Sequence, residues 1–190
     1  MKNDTCQHCH QIIMPVHGCV STDIKGEQVL LCAFCWNKHI AEYAMSNFET
    51  IELKPIALRD CSGEMHTFHF FVRLSPPDLS IDAREILSEH QTGYEFSVWG
   101  PQESQADLIL DLYEKIRRGL SKKYLTKFHA VTGITDCRVV GRIEWDDDFS
   151  GQIPKVVIDG RAVAWDELGK MLMSFEGWQF KLDIFDRTEE

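Results

Sequence analysis

Four cysteines near the start of the chain carry the clearest chemistry. Cys6 and Cys9 are two residues apart, as are Cys32 and Cys35, with residues 10–31 between the pairs. A two-residue gap lets both thiolates of a pair face one ion, while amides of the turn offset part of their charge. Two such knuckles complete a tetrahedral four-sulfur sphere, which suits one structural Zn(II) ion at Zn–S distances of about 2.3 Å. Iron uses the same ligands, although the glycine-rich surroundings of a rubredoxin-like site are missing. A thioredoxin-like redox pair needs one CxxC within a βαβ unit, and that context is missing too. His8, His10 and Cys19 are spare donors that read as bystanders. Four thiolates leave no open position for water and make the metal a weak Lewis acid, so the ion reads as structural. A zinc deaminase needs His-x-Glu and Pro-Cys-x-x-Cys, and neither is present.

Other constellations are weaker. Lys115, Arg117, Arg118, Lys122, Lys123 and Lys127 form the one strong basic run, opposed locally by Glu114. It offers a surface for RNA, DNA or an acidic partner, although cations near a helix C-terminus are favoured by the helix dipole anyway. Asp146-x-Asp148-x-Ser150-Gly151 starts like a calcium loop, but Val157 stands where the bidentate Glu is required. His66 and His69 are three apart in a strand-like segment and therefore face opposite sides. His66, His90 and His129 could join a carboxylate only through the fold. Phosphate loop, GxSxG and HExxH motifs are absent from the sequence.

These residues need elements to hold them. Val16–Thr22 and Glu27–Leu31 read as strands of a hairpin between the knuckles, turning at Asp23–Gly26. A helix follows Cys35, with Trp36, Ile40, Tyr43 and Ala44 as its apolar stripe. The order knuckle, hairpin, knuckle, helix resembles that of treble-clef zinc fingers. The expected division is a finger over residues 1–48 and an α+β, mainly antiparallel domain over 49–190. A 48-residue finger buries too little apolar surface to fold alone, so the metal supplies much of its folding free energy.

In the second unit, Ile51–Arg59 and Met65–Leu74 read as paired strands, with Pro55 at an edge and Ser75-Pro76-Pro77 as a stop. Ser80–Ser88 reads as a short helix or a loop, and Tyr94, Phe96 and Val98 as a strand. Leu108, Leu112, Ile116 and Leu120 mark a helix over 103–123. Cys137–Trp145 reads as a strand, and Asp159-Gly160 as a two-residue hairpin turn between Lys155–Ile158 and Arg161–Ala164. Asp166–Phe175 reads as a helix ended by Gly177. Trp178, Phe180, Leu182 and Ile184 alternate with polar residues and read as a last half-buried strand. The run from Val156 to Asp186, together with the Cys6–Cys35 knuckles, resembles uncharacterised bacterial proteins with an N-terminal CxxC…CxxC finger and a C-terminal α+β domain. That resemblance implies a two-part architecture and no particular chemistry.

The 190 residues carry a net charge of −10, a poor match for non-specific binding to DNA or anionic membranes. The finger is acidic as well: Lys2, Lys25 and Lys38 face Asp4, Asp23, Glu27 and Glu42, and a zinc tetrathiolate adds two more negative charges. No signal peptide, spanning segment or lipid anchor is visible, and seven cysteines fit a reducing compartment, so the expected location is cytoplasmic. The function these observations favour is a non-enzymatic zinc-binding adaptor or regulator acting through a protein partner. The alternatives are nucleic-acid binding through residues 115–127 and an enzyme whose site is assembled only in the α+β domain.

Overall fold

The computed structural model describes residues 4–13, 19–24, 26–88, 91–128, 131–146, 149–186 and 188. The chain is α+β, with antiparallel sheets. Two short strands, β1 (Asp4–Thr5) and β2 (Ile12–Ile13), flank the first knuckle. β3 (Cys19–Ile24) and β4 (Glu27–Cys32) form the hairpin, and α1 (Ala33–Tyr43) follows at once. The turn between β3 and β4 is tied by Gly26 N–H donating to Asp23 Oδ1 at 2.8 Å. Residues 16–18 of the predicted hairpin lie outside the described residues. Helix α1 begins before Cys35, and its buried face is Cys35, Asn37 and Ala41. Tyr43, expected on the apolar stripe, is 83% exposed. An asparagine took the buried place, and polar residues are invisible to an apolar-periodicity reading.

The main sheet runs β5 (Ile56–Arg59), β6 (Met65–Ser75), β7 (Asp78–Ser88), β8 (Gln91–Pro101), each antiparallel to the next. Pro55, without an amide hydrogen, stands just before β5, which is shorter than the predicted 51–59 strand. The expectation of a helix or loop at Ser80–Ser88 is wrong: β7 is a central strand, paired on both sides. Asp82 is buried as well as Ile81 and Ala83, so the two faces do not alternate cleanly between apolar and polar. One sheet face carries Phe68, Val72, Leu74, Leu79, Ile81, Ala83 and Val98, and α2 (Gln105–Leu120) covers it with Leu108, Leu112, Ile116 and Leu120. The four-residue recurrence placed this helix correctly, within a few residues of its ends. Gly119 lets it lie close: a Cβ there would come within 2.4 Å of the Phe96 ring.

Because β5 pairs only with residues 65–68, the rest of β6 has an open edge. Helix α1 closes it with two consecutive side chains. Asn37 Nδ2–H donates to Val72 O at 2.8 Å, and Leu74 N–H donates to Asn37 Oδ1 at 2.8 Å. Trp36 Nε1–H donates to Leu74 O at 3.2 Å. Asn37 thus offers the strand one donor and one acceptor, as a neighbouring strand residue does, and it is only 2% exposed. Residues 46–53 follow over the same edge, tied to the start of α2 by Gln105, which bonds Ile51 N–H and Glu49 O.

The C-terminal residues form a hairpin of β9 (Leu125–Phe128) and β10 (Val131–Ile134), then a three-stranded sheet of β11 (Arg142–Glu144), β12 (Lys155–Ile158) and β13 (Arg161–Ala164), then α3 (Trp165–Leu172). The sequence reading missed the β9–β10 hairpin and made β11 too long; Asp136 and Cys137 instead form a turn with positive φ. The Asp159-Gly160 turn is as read, with φ of 53° and 72°. Val156, Ile158, Val163 and Met171 form a second cluster, apart from the main core. The predicted strand at 178–184 pairs with no strand among the described residues, and its side chains are exposed. Among those residues, no helix is long and apolar enough to cross a membrane.

The edge closure makes a prediction. Asn37→Ala leaves a buried N–H and a buried C=O without partners, at about 1–3 kcal/mol each. Urea unfolding should show a loss of about 2–6 kcal/mol. A loss below about 0.5 kcal/mol, the size expected of an ordinary surface substitution, would mean that this edge is satisfied in another way.

Candidate functional sites

The knuckles converge as their spacing required. The sulfurs of Cys6, Cys9, Cys32 and Cys35 all lie within 4.8 Å of one another. Cys9 Sγ and Cys32 Sγ are 3.8 Å apart, close to the edge of a tetrahedron with metal–sulfur bonds of about 2.3 Å. The first knuckle is fixed to β4 by Gln7, whose N–H donates to Leu30 O at 2.9 Å and whose Oε1 accepts Leu30 N–H at 2.7 Å. Cys32 ends β4 and starts α1, which puts Cys35 in the first helical turn. Cys6, Ile13, Leu31 and Cys35 form the small core of this unit.

Charge explains why the four sulfurs call for a cation. Burial disfavours the Cys6 thiolate, but amide hydrogen bonds from Cys9, Cys32 and His8 outweigh it and lower its pKa to about 6. The same burial, joined by the neighbouring sulfurs, raises Cys32 and Cys35. A cation there would supply positive charge, and the cluster is compatible with a metal site. His8, His10 and Cys19 are exposed and lie outside the four-sulfur group.

The structure assembles a second cluster that the sequence did not show. At one end of the core face of the sheet, His66 stands between two carboxylates. Its Nδ1 is 2.7 Å from Glu85 Oε1, and its Nε2 is 3.1 Å from Asp60 Oδ2. Lys123 Nζ, just beyond α2, lies 2.6 Å from Asp60 Oδ2 and 3.1 Å from Glu64 Oε2. Cys61 N–H donates to Leu120 O and so fixes the turn of Asp60 to the end of that helix. Burial opposes charge on His66 and Asp60, yet the partners win. Glu85 and Asp60 raise the His66 pKa, and Lys123, Ser62 and His66 hold Asp60 far below the ordinary carboxylate range. Each ring nitrogen of His66 thus faces a carboxylate oxygen, and these partners favour its protonated form.

Asp60, Glu64 and His66 are close enough to share an ion, but the Lys123 ammonium already sits between the two carboxylates. The Tyr94 ring lies edge-on to His66 at 5.1 Å. Its hydroxyl is buried without a hydrogen-bond partner among the described residues. Gly160 of the β12–β13 turn is close to the same ring, where a Cβ would approach to 2.7 Å. Asp159, its neighbour, accepts the N–H groups of Tyr124 and Leu125. The cluster is thus a polar joint between the main sheet and the C-terminal strands. On the opposite face, Arg142 of β11 bonds Glu95 at 3.4 Å and Gly93 O at 3.3 Å.

The basic residues read from sequence are dispersed. Helix α2 ends at Leu120, so Lys122 and Lys123 lie beyond it and Lys127 lies on β9. Lys115 donates to Ser97 O, Lys122 pairs with Asp136, and Lys123 belongs to the His66 cluster. Arg117, Arg118 and Lys127 are exposed. A groove of about 240 Å³ between β8 and α2 is lined by Lys115 and Arg118 but also by Asp111 and Glu114. His90, His129, Asp147 and Asp148 lie outside the described residues.

The His66 cluster gives a pH dependence with a definite sign. A raised folded-state pKa stabilises the fold fully below the ordinary histidine pKa of about 6.5. That contribution is lost as pH rises through the higher, folded value. Unfolding free energy should fall as pH rises from about 6.5 through the higher, folded value, and His66→Gln should flatten that slope. An unchanged slope in His66→Gln would contradict a His66 pKa raised by its two carboxylate partners.

Comparison with known families finds two matches in the chain. Residues 49–121 match one family, described as a domain of unknown function (DUF7686), and residues 124–189 match another, also described as a domain of unknown function (DUF7713). No curated protein and no solved structure matches the chain. The seam between the two matches falls just before Tyr124, where the backbone meets Asp159. The four-cysteine unit lies outside both.

Proposed function

We propose that the chain is a zinc-stabilised adaptor, non-enzymatic and acting through protein–protein contact. The observation that carries the reading is the closed four-sulfur cluster, whose helix is locked onto the sheet through Trp36 and Asn37. With four thiolates bound, zinc has no position left for substrate, so its work is to hold α1 in place. The treble-clef-like order of knuckle, hairpin, knuckle and helix fits that task. A reducing, cytoplasmic setting keeps the thiols available for metal.

The interaction surface on this reading is the C-terminal unit. Among the described residues, more than half of the large exposed hydrophobic ones fall between Ile143 and Phe185, including Trp145, Trp165, Trp178 and Phe180. Exposed apolar residues gathered in one part of a chain are the usual mark of a partner surface. Aromatic residues are also enriched among those that dominate binding energy.

Elemental analysis tests the metal half of the proposal. The purified chain should hold one zinc per molecule, and Cys32→Ser should lose it and unfold the first 48 residues. Stoichiometric iron would replace zinc in the same structural role. No stoichiometric metal, or a Cys32→Ser variant with full metal content, would overturn the reading.

A further inference from the structure

The segment from Trp178 to Asp186 has the alternation of a strand and no sheet. Trp178, Phe180, Leu182 and Ile184 stand at every second position and are 68% to 89% exposed. Between them, Lys181 Nζ pairs with Asp183 Oδ2 at 3.1 Å, which puts those two side chains on one side. Such a segment lacks only neighbours for its backbone and a cover for its apolar side. Leu172 and Met173, a few residues upstream, are exposed as well.

We propose that this segment pairs antiparallel with the same segment of a second copy, about a two-fold axis at Leu182. The inference rests on reading the C-terminal unit as an interaction surface, and it names the partner. Charge selects the register. With the axis at Leu182, Leu182 faces itself, Phe180 faces Ile184 twice, and Lys181 faces Asp183 twice. Directly opposed residues share one face of the ribbon, so Phe180, Leu182 and Ile184 of both copies gather on one face, with Trp178 opposite Asp186 at each end, and both ion pairs lie on the other face beside Phe185. Moving the axis to Lys181 or to Asp183 sets a charge against its own copy, which is unfavourable. Placing it midway between residues sets apolar side chains against polar ones. The segment is therefore self-complementary in one register, as an isologous two-fold interface requires. A bare two-stranded ribbon is marginal in water. Leu172 and Met173 of both copies supply apolar surface to cover it.

The test is the mass of the full-length, metal-loaded chain, followed by light scattering across a wide range of concentration. The wild type should be a dimer, and Leu182→Lys, which sets two ammonium groups face to face, a monomer. Lys181→Asp and Asp183→Lys should each weaken the dimer by about tenfold. The double exchange Lys181→Asp/Asp183→Lys restores opposite charges in this register and should recover affinity to near the wild-type level. Because the segment is exposed, thermal unfolding should be the same for all variants at a concentration low enough for the wild type to be monomeric. A monomeric wild type would overturn the proposal, as would a dimer indifferent to Leu182→Lys or a double exchange no tighter than the single variants. A monomer that captures another protein through Trp178 and Phe180 would overturn self-pairing yet leave the adaptor reading standing. A dimer that obeys the charge exchange in a chain without metal would support self-pairing and sink the zinc reading.

Discussion

A strand with an open edge must have its backbone groups satisfied, and the way β6 meets that demand organises the molecule. Strand β5 covers only one end of it. Val72 O, Leu74 N–H and Leu74 O are bonded instead by Asn37 and Trp36, two neighbouring residues on a helix. Side chains can replace a strand in this way only if the helix is held at the right distance and rotation. Helix α1 is short, 11 residues, and helices of that length are marginal in isolation. Its first turn contains Cys35 and its N-cap is Cys32, so a metal at the four sulfurs would fix the end that matters. On this account the metal acts on the sheet through the helix.

The other end of the sheet is held by charge. Asp60, Glu85, His66 and Lys123 come together in one network of ion pairs and hydrogen bonds where the apolar core stops. Removing one member leaves its partner buried and uncompensated, which is why such clusters resist change even when they add little net stability. The arrangement also bears on chemistry. A histidine beside a carboxylate invites a catalytic reading, but His66 has carboxylates on both nitrogens and a nearly inaccessible ring. Its geometry joins the sheet to the strands that begin at Tyr124, through Tyr94, Gly160 and Asp159.

How much of this was legible in sequence depended on whether a residue's partner was near it in the chain. The cysteine pairs, the four-residue recurrence in α2 and the Asp159-Gly160 turn are local patterns, and the structure has them in place. Strand β7 was missed because Asp82 is buried among apolar neighbours, which breaks the alternation that marks a half-exposed strand. Asn37 was missed because its partners are backbone atoms of a strand some 35 residues away, with no side-chain signature. Asp60, Glu85 and Lys123 come together only in the fold. Around Asp60 the signal available was a turn with Gly63 at its end, which says nothing of the histidine it holds. Residues 178–184 are the opposite case: the alternation is real, and no strand within the described chain pairs with it.

The four sulfurs are linked to the edge of β6 through α1, and amide hydrogen exchange reads that link directly. The Leu74 N–H, whose acceptor is Asn37, should be protected in the metal-loaded protein. After chelation it should exchange far faster, while the amides pairing β7 with β8 keep their protection. A Leu74 amide that stays protected once the metal has gone and the first 48 residues have unfolded would contradict the account, because something other than the finger would then be closing the sheet.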